Sequence, residues 1–200
     1  MGKAILIGNG PSALENEMGE VIDSFDYVLR FNRWNYNENG EVHGDFSKYT
    51  GNKCTHWIVC DIHFYDSQLA MKFGHLYDNI VVYIPKFKWG TYEGTISSTM
   101  EKYNNTQFLS PLFEDDINKI VNFSPKWPTT GVVGIHYALS EFEEVFMYGF
   151  DTYDIKYDKI HYFEDRTNKY KFNKNKDHNP TLEKDYIEYM KKNYNLKTLV

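Results

Sequence analysis

Lys3-Ala4-Ile5-Leu6-Ile7-Gly8-Asn9-Gly10-Pro11-Ser12-Ala13 is a short apolar run that breaks into a glycine turn. Five residues of this character read as a strand, and Gly8 to Ala13 fit G-x-G-x-x-A between that strand and a predicted helix over Ser12–Gly19. The same alternation continues along the chain. Further strands are predicted at Tyr27–Phe31, His56–Cys60, Asn79–Ile84, Gln107–Leu109, Glu144–Tyr148 and Leu196–Val200. Helices are predicted at about Ser67–Phe73, Pro111–Val121, Gly131–Phe142 and Pro180–Tyr194, the last with Asn179 as N-cap and Leu182, Tyr186, Ile187 and Met190 on one face. The fold class that follows is α/β, a Rossmann-like, mostly parallel sheet with helices on both faces. Two hundred residues suit one domain, 1–200. Pro85–Asn105 and Asp151–Asp177 read as long irregular loops over the active edge.

Composition narrows the function. Apolar residues make up 42% and the net charge is −6, so the chain is globular and no general nucleic-acid binder. The seven Lys and Arg between Lys156 and Lys176 are interleaved with Asp158, Glu164 and Asp165, the pattern of a solvated loop. No apolar run approaches the roughly 18–20 residues of a membrane span, and the first strand does not read as a signal peptide. The expected location is cytoplasmic. Cys54 and Cys60 do not make a disulfide framework. His56 and His63 lie near them, but alternation through His56-Trp57-Ile58-Val59-Cys60 sends neighbouring side chains to opposite faces, against a structural zinc site.

The glycine loop alone admits a dinucleotide site or a simple tight turn. A dinucleotide fold keeps an acid at the end of its second strand for the ribose. Here Tyr27-Val28-Leu29-Arg30-Phe31 ends in Asn32, which donates and accepts without adding charge. Pro11 also removes an N–H from the loop. Pro128-Thr129-Thr130-Gly131 opens a helix, where unpaired N–H groups and hydroxyls receive an anion or where Thr merely caps. His161 and His178 lie in polar loops beside acids able to orient a ring nitrogen, a setting for acid–base work. Glu183, five residues after His178, complements the helix dipole or folds back to hold the imidazole. His43, His56, His63, His75 and His136 read as surface or packing residues.

Taken together, these blocks resemble the sialylmotifs of glycosyltransferase family 29, the sialyltransferases. Ile5 to Ser12 with Ile22 to Asn32 is similar to the large motif, and Pro128 to Gly131 running on to Glu144–Phe150 to the small one. His161-Tyr162-Phe163-Glu164 resembles the third motif, and His178 with Glu183 the very-small motif H-x4-E. The bacterial family 42 shares a similar glycine loop, but the third motif favours family 29. The resemblance implies a sialyltransferase-type variant of the GT-A fold. It also implies inverting, metal-independent transfer of sialic acid or a related α-keto acid sugar such as Kdo, from a CMP-activated donor to a glycan acceptor, with no cofactor. In that scheme Asn9 and Asn32, with Gly10 and Ser12 beside them, hold CMP. Thr129, Thr130 and Gly131 meet the donor near its carboxylate and ribose. His178 is the base, His161 stabilises the departing phosphate, and Glu183 and Tyr162 support them.

Departures from the family pattern are specific. Where secretory-pathway members carry a disulfide between the large and small motifs, Ala4 and Phe142 stand here, an apolar pair suited to pack in its place. No anchor or stem is expected from this sequence either, which with the lost disulfide would suit a reducing compartment such as a bacterium, a virus factory or a phage-infected cell. Asp115-Asp116 falls in a predicted helix, and Asp151-x-x-Asp154 is a weak diphosphate–metal candidate. Two other readings stay open, a non-catalytic nucleotide- or glycan-binding descendant and a dinucleotide-binding oxidoreductase.

Overall fold

Each predicted strand forms, because runs such as Ala4–Ile7 and Ile80–Tyr83 are buried on both faces and can be satisfied only inside a covered sheet. The computed structural model describes residues 2–36, 41–66, 72–152, 159–163 and 177–200. Its strands are β1 (Lys3–Ile7), β2 (Tyr27–Phe31), β3 (His56–Cys60), β4 (Asn79–Tyr83), β5 (Thr106–Phe108), β6 (Glu144–Tyr148) and β7 (Leu196–Thr198). They form one sheet in the order β5-β4-β3-β2-β1-β6-β7, every pair parallel. The helices are α1 (Gly19–Asp23), α2 (Ser47–Thr50), α3 (Trp89–Lys102), α4 (Leu112–Ile120), α5 (Thr130–Glu141) and α6 (Pro180–Asn193).

The strand alternation builds two layers. Ala4, Leu6, Leu29, Phe31, Ile58 and Val81 face α4, α5 and α6, meeting Ile117, Val133, Ile135 and Tyr186 in the larger core. On the other face, Val59, Ile80 and Val82 pack with Ile96 of α3, and Ile5, Ile7 and Val28 with Ala13 and Ile22. Cys54 packs with the α3 side and Cys60 with the α5 side, because Cys54 precedes β3 and so escapes the alternation that would place two residues six apart on one face. Ala4 is fully buried and Phe142 packs on the same core, its ring 4.7 Å from that of Tyr27, the β2 partner of Ala4. Among the described residues no helix is long and apolar enough to cross a membrane.

Two expectations change. Pro85–Asn105 is no irregular loop: a turn at Lys86–Lys88 leads into α3, fourteen residues long. Its Gly, Thr and Ser content masks the helix, while Trp89, Tyr92 and Ile96, spaced three and four apart, carry its packing. Ser12–Gly19 is not one helix but a 3-10 turn at Pro11–Leu14 followed by α1. α1 lies so close to α2 that a Cβ on Gly19 would stand 2.0 Å from the Ser47 carbonyl oxygen, so glycine alone fits. The predicted helix at Ser67–Phe73 falls mostly outside the described residues, as does most of the loop 151–177.

Candidate active site

The sheet changes direction of growth between β1 and β6, which pair although four strands separate them in sequence. At such a switch point the loops leaving adjacent carboxyl ends diverge and leave a crevice. A cavity of about 350 Å³ lies there, walled by the segments after β1, β2, β3 and β6, by the start of α5, and by His161, His178 and Glu183.

The glycine loop forms its floor, with its amides turned inward. Gly8 N donates to Tyr148 O at 2.8 Å, Gly10 N to Gly149 O at 3.0 Å and Ala13 N to Gly10 O at 3.1 Å. Ser12 N donates to the Asp151 carboxylate at 3.0 Å. A Cβ on Gly8 would meet Gly149 O at 2.3 Å, so this glycine serves the close approach of two loops. A pyrophosphate cradled by these four N–H groups, as in a dinucleotide fold, would have to displace the protein's own acceptors. Asn9 lines the cavity; its Nδ2 donates to Phe31 O at 3.1 Å, while its buried Oδ1 has no partner among the described residues. A buried acceptor left unmatched costs roughly 1–3 kcal/mol, which a donor on a ligand would recover.

Asn32, which ends β2, has φ 47°, a left-handed backbone that asparagine tolerates well. Its carbonyl accepts from Trp57 Nε1 at 2.7 Å and its Oδ1 from Cys60 N at 3.1 Å, and the residue lines the cavity. Thr129 caps α5 by accepting from Val132 N at 3.3 Å, and its hydroxyl donates to Glu183 Oε2 at 3.0 Å. Glu183 is 4% exposed, and burial drives its carboxyl up to about 8 despite the Thr129 hydroxyl, so it holds a proton at neutral pH. Its buried Oε1 has no hydrogen-bond partner among the described residues, and the residue lines the same cavity. Glu183 thus supports the cap of α5, a role distinct from simple dipole compensation.

His178 Nδ1 lies 3.1 Å from Trp127 O. A carbonyl only accepts, so the neutral ring carries its proton on Nδ1 and its lone pair on Nε2. Burial pushes this imidazole below its ordinary pKa, against the Trp127 carbonyl and Asp177, which favour the cation. Burial thus favours the neutral form of the ring, whose lone pair is on Nε2. His178 also helps wall a second cavity of about 390 Å³, lined by Phe87, Trp127, Pro85 and the Lys88–Asp61 ion pair (2.9 Å). The Phe87 and Trp127 rings lie 4.7 Å apart there. His161 enters the first cavity from the segment 159–163, its ring stacked on Phe163 at 5.2 Å.

The family model for Glycosyltransferase family 29 (sialyltransferase) matches residues 3–194. The chain belongs to that family. It is similar to the human CMP-N-acetylneuraminate-beta-galactosamide-alpha-2,3-sialyltransferase 1, at 25% identity over 198 residues covering 90% of this chain and 53% of that protein. The Pan troglodytes counterpart matches at 24%. The chain thus spans about half the length of the curated relatives it matches. A mammalian sialyltransferase structure aligns with a TM-score of 0.64 at 20% identity, over 99% of this chain and 68% of that one. CstII, the sialyltransferase from Campylobacter jejuni solved with cytidine-5'-monophosphate, aligns at 0.62 and 16%, over 100% and 80%. These structures share the fold.

All four family 29 motifs reach one cavity: the large motif through Asn9, Gly10 and Asn32, the small through Thr129, Thr130 and Gly131, the third through His161, and the very-small through His178 and Glu183. Two predicted residues stand behind the wall. Ser12 gives its N–H to Asp151, and Tyr162, 4% exposed, gives its N–H to Asn9 O at 2.9 Å. Asp151, which spacing offers only as half of a weak metal candidate, is a wall residue that meets Ser12 across 139 positions. Arg30, fully buried, also acts from behind: it donates to Lys53 O at 2.8 Å and Thr50 O at 2.5 Å and lies 4.3 Å over Trp34. Its signal was a lone charge inside an apolar strand. Asp115 and Asp116 pair with Lys86 and Lys119 on α4, and Asp154 lies outside the described residues. Among the described residues, no group of three or more metal-ligating side chains converges.

Proposed function

We infer that this protein is an inverting glycosyltransferase that moves sialic acid, or a related α-keto acid sugar such as Kdo, from CMP to a glycan hydroxyl without a metal ion. One observation carries the reading: His178 stands in the wall between two cavities, one built from the glycine loop and the start of α5, the other lined by aromatic rings. A base at such a boundary meets a donor on one side and an acceptor on the other. The relatives' names, and the cytidine-5'-monophosphate bound to CstII, supply the chemistry proposed for the two sides.

In this scheme Asn9 Oδ1 and Asn32 Nδ2 offer one acceptor and one donor to the nucleotide. Thr129, Thr130 and Gly131 receive the sugar's anionic group at the positive end of α5. The acceptor, stacked against Phe87 and Trp127, presents its hydroxyl to His178 Nε2. As the oxygen attacks the anomeric carbon, the hydroxyl proton passes to that nitrogen and the bond to the phosphate breaks on the opposite face, which inverts the centre. His161 stabilises the charge gathering on the departing CMP. A monophosphate leaving group carries little enough charge for an imidazole and helix N–H groups to take the part a metal plays with diphosphates.

The test is a CMP-release assay with CMP-sialic acid and CMP-Kdo across a glycan acceptor panel. Acceptor-dependent release from either donor supports the assignment. Release from neither, by folded protein that binds CMP, would leave a nucleotide-binding family member without transfer.

A further inference from the structure

His43 reads from the sequence as a surface or packing residue, yet its ring lies in a nearly parallel set of three. It stacks on Phe163 at 4.2 Å and 14°, and Phe163 stacks on His161 at 5.2 Å and 12°. At its other edge, His43 Nε2 donates to Arg33 O at 2.9 Å. Its backbone N–H donates to Asn35 O at 2.9 Å, and Val42 bridges to Tyr36. Arg33 directly follows Asn32, so a continuous path of contacts runs from the end of β2 through His43 and Phe163 to His161. Burial holds the His43 ring below its ordinary pKa, although the hydrogen bond to the Arg33 carbonyl works against that shift. A neutral ring stacks on Phe163 without adding a charge beside it.

We propose that His43 is a positioning residue: through Phe163 it fixes the ring of His161 against the nucleotide, tying the third motif to the loop that carries Asn32. The proposal rests on the functional reading above, in which His161 faces the departing phosphate. The Phe163 backbone continues from Tyr162, whose N–H is on Asn9 O and whose ring packs edge-on against Phe46 at 5.1 Å. Tyr162 therefore holds the main chain of this segment, and the ring stack sets the direction of the histidine. An aromatic pair contributes about 0.5–1.5 kcal/mol, equivalent to roughly two- to tenfold in binding.

The experiment is a double-mutant cycle on CMP affinity, read by calorimetry on His43→Ala, His161→Ala and the double variant, with His43→Phe as the stacking-competent control. His43→Ala should weaken CMP by about two- to tenfold, His43→Phe should recover most of that, and His43→Ala should add nothing once His161 is gone. Additive losses, or a His43→Phe as weak as His43→Ala, would overturn the proposal while CMP binding by the wild type leaves the functional reading standing. Failure of the wild type to bind CMP would remove both. If His43→Ala does not fold, His43→Leu against His43→Phe carries the same comparison.

Discussion

Replacing Glu183 with Gln should make the protein more stable at pH 8 than the wild type and leave no such advantage near pH 4.5. The reason is the buried carboxyl between Thr129 and the cavity, whose pKa is lifted from an ordinary 4.5 to about 8. Below pH 4.5 the group is protonated in both the folded and unfolded chain and contributes no pH dependence. As pH rises past 4.5 the unfolded chain releases the proton and the folded protein keeps it, so folding loses about 1.4 kcal/mol per pH unit until about 8. At pH 7 the penalty comes to roughly 3 kcal/mol. Gln does not titrate, and its amide oxygen can still accept from the Thr129 hydroxyl. The uncompensated amide N–H groups cost about 1–3 kcal/mol at every pH, so the slope of the difference carries the result. At about 2–4 °C per kcal/mol for a chain of this size, the gap in Tm between variant and wild type should widen by roughly 6–12 °C from pH 4.5 to pH 7. Thermal melts in overlapping buffers measure it. Parallel Tm curves for the two proteins would show that Glu183 is ionised in the folded state and that its burial is not what the structure depicts.

Other expectations can be checked with the same protein. CMP at 100 times its dissociation constant should add about 2.7 kcal/mol of stability in a thermal shift, while NAD and UDP add none. Stabilisation by NAD with CMP silent would contradict the inward-turned glycine-loop amides. His178→Ala should lower turnover by about 10²–10⁴-fold with CMP affinity nearly intact, whereas His161→Ala should weaken both. An unchanged rate in folded His178→Ala would remove that residue as the base. Turnover should survive EDTA, and loss on chelation that Mn²⁺ restores would point to a metal-held donor.

Much of the fold was legible because burial on both faces leaves a strong local trace. Ala4–Ile7, Trp57–Val59 and, but for Arg30, Val28–Phe31 are apolar runs too short for helices, and Asn179-Pro180 and Thr129 announce the starts of α6 and α5. The motif residues, too, are local: a glycine where loops must touch, a histidine in a polar segment. α3 was illegible because Gly90, Gly94 and its Thr and Ser residues speak against a helix, and only docking of Trp89, Tyr92 and Ile96 on the sheet overrides them.

What the sequence by itself determined was therefore the strands, their parallel α/β arrangement, the family, and the set of residues available for chemistry. The tertiary structure alone decided how those residues are used. It turned Glu183 to Thr129, gave His178 its tautomer through the Trp127 carbonyl, spent the Ser12 N–H on Asp151, and laid Phe163 between His43 and His161. Each of these joins segments from 51 to 139 positions apart. Pairings at that range follow from which loops the sheet order brings to one edge, and protonation follows from how much water the packed layers exclude, so neither is written in local sequence.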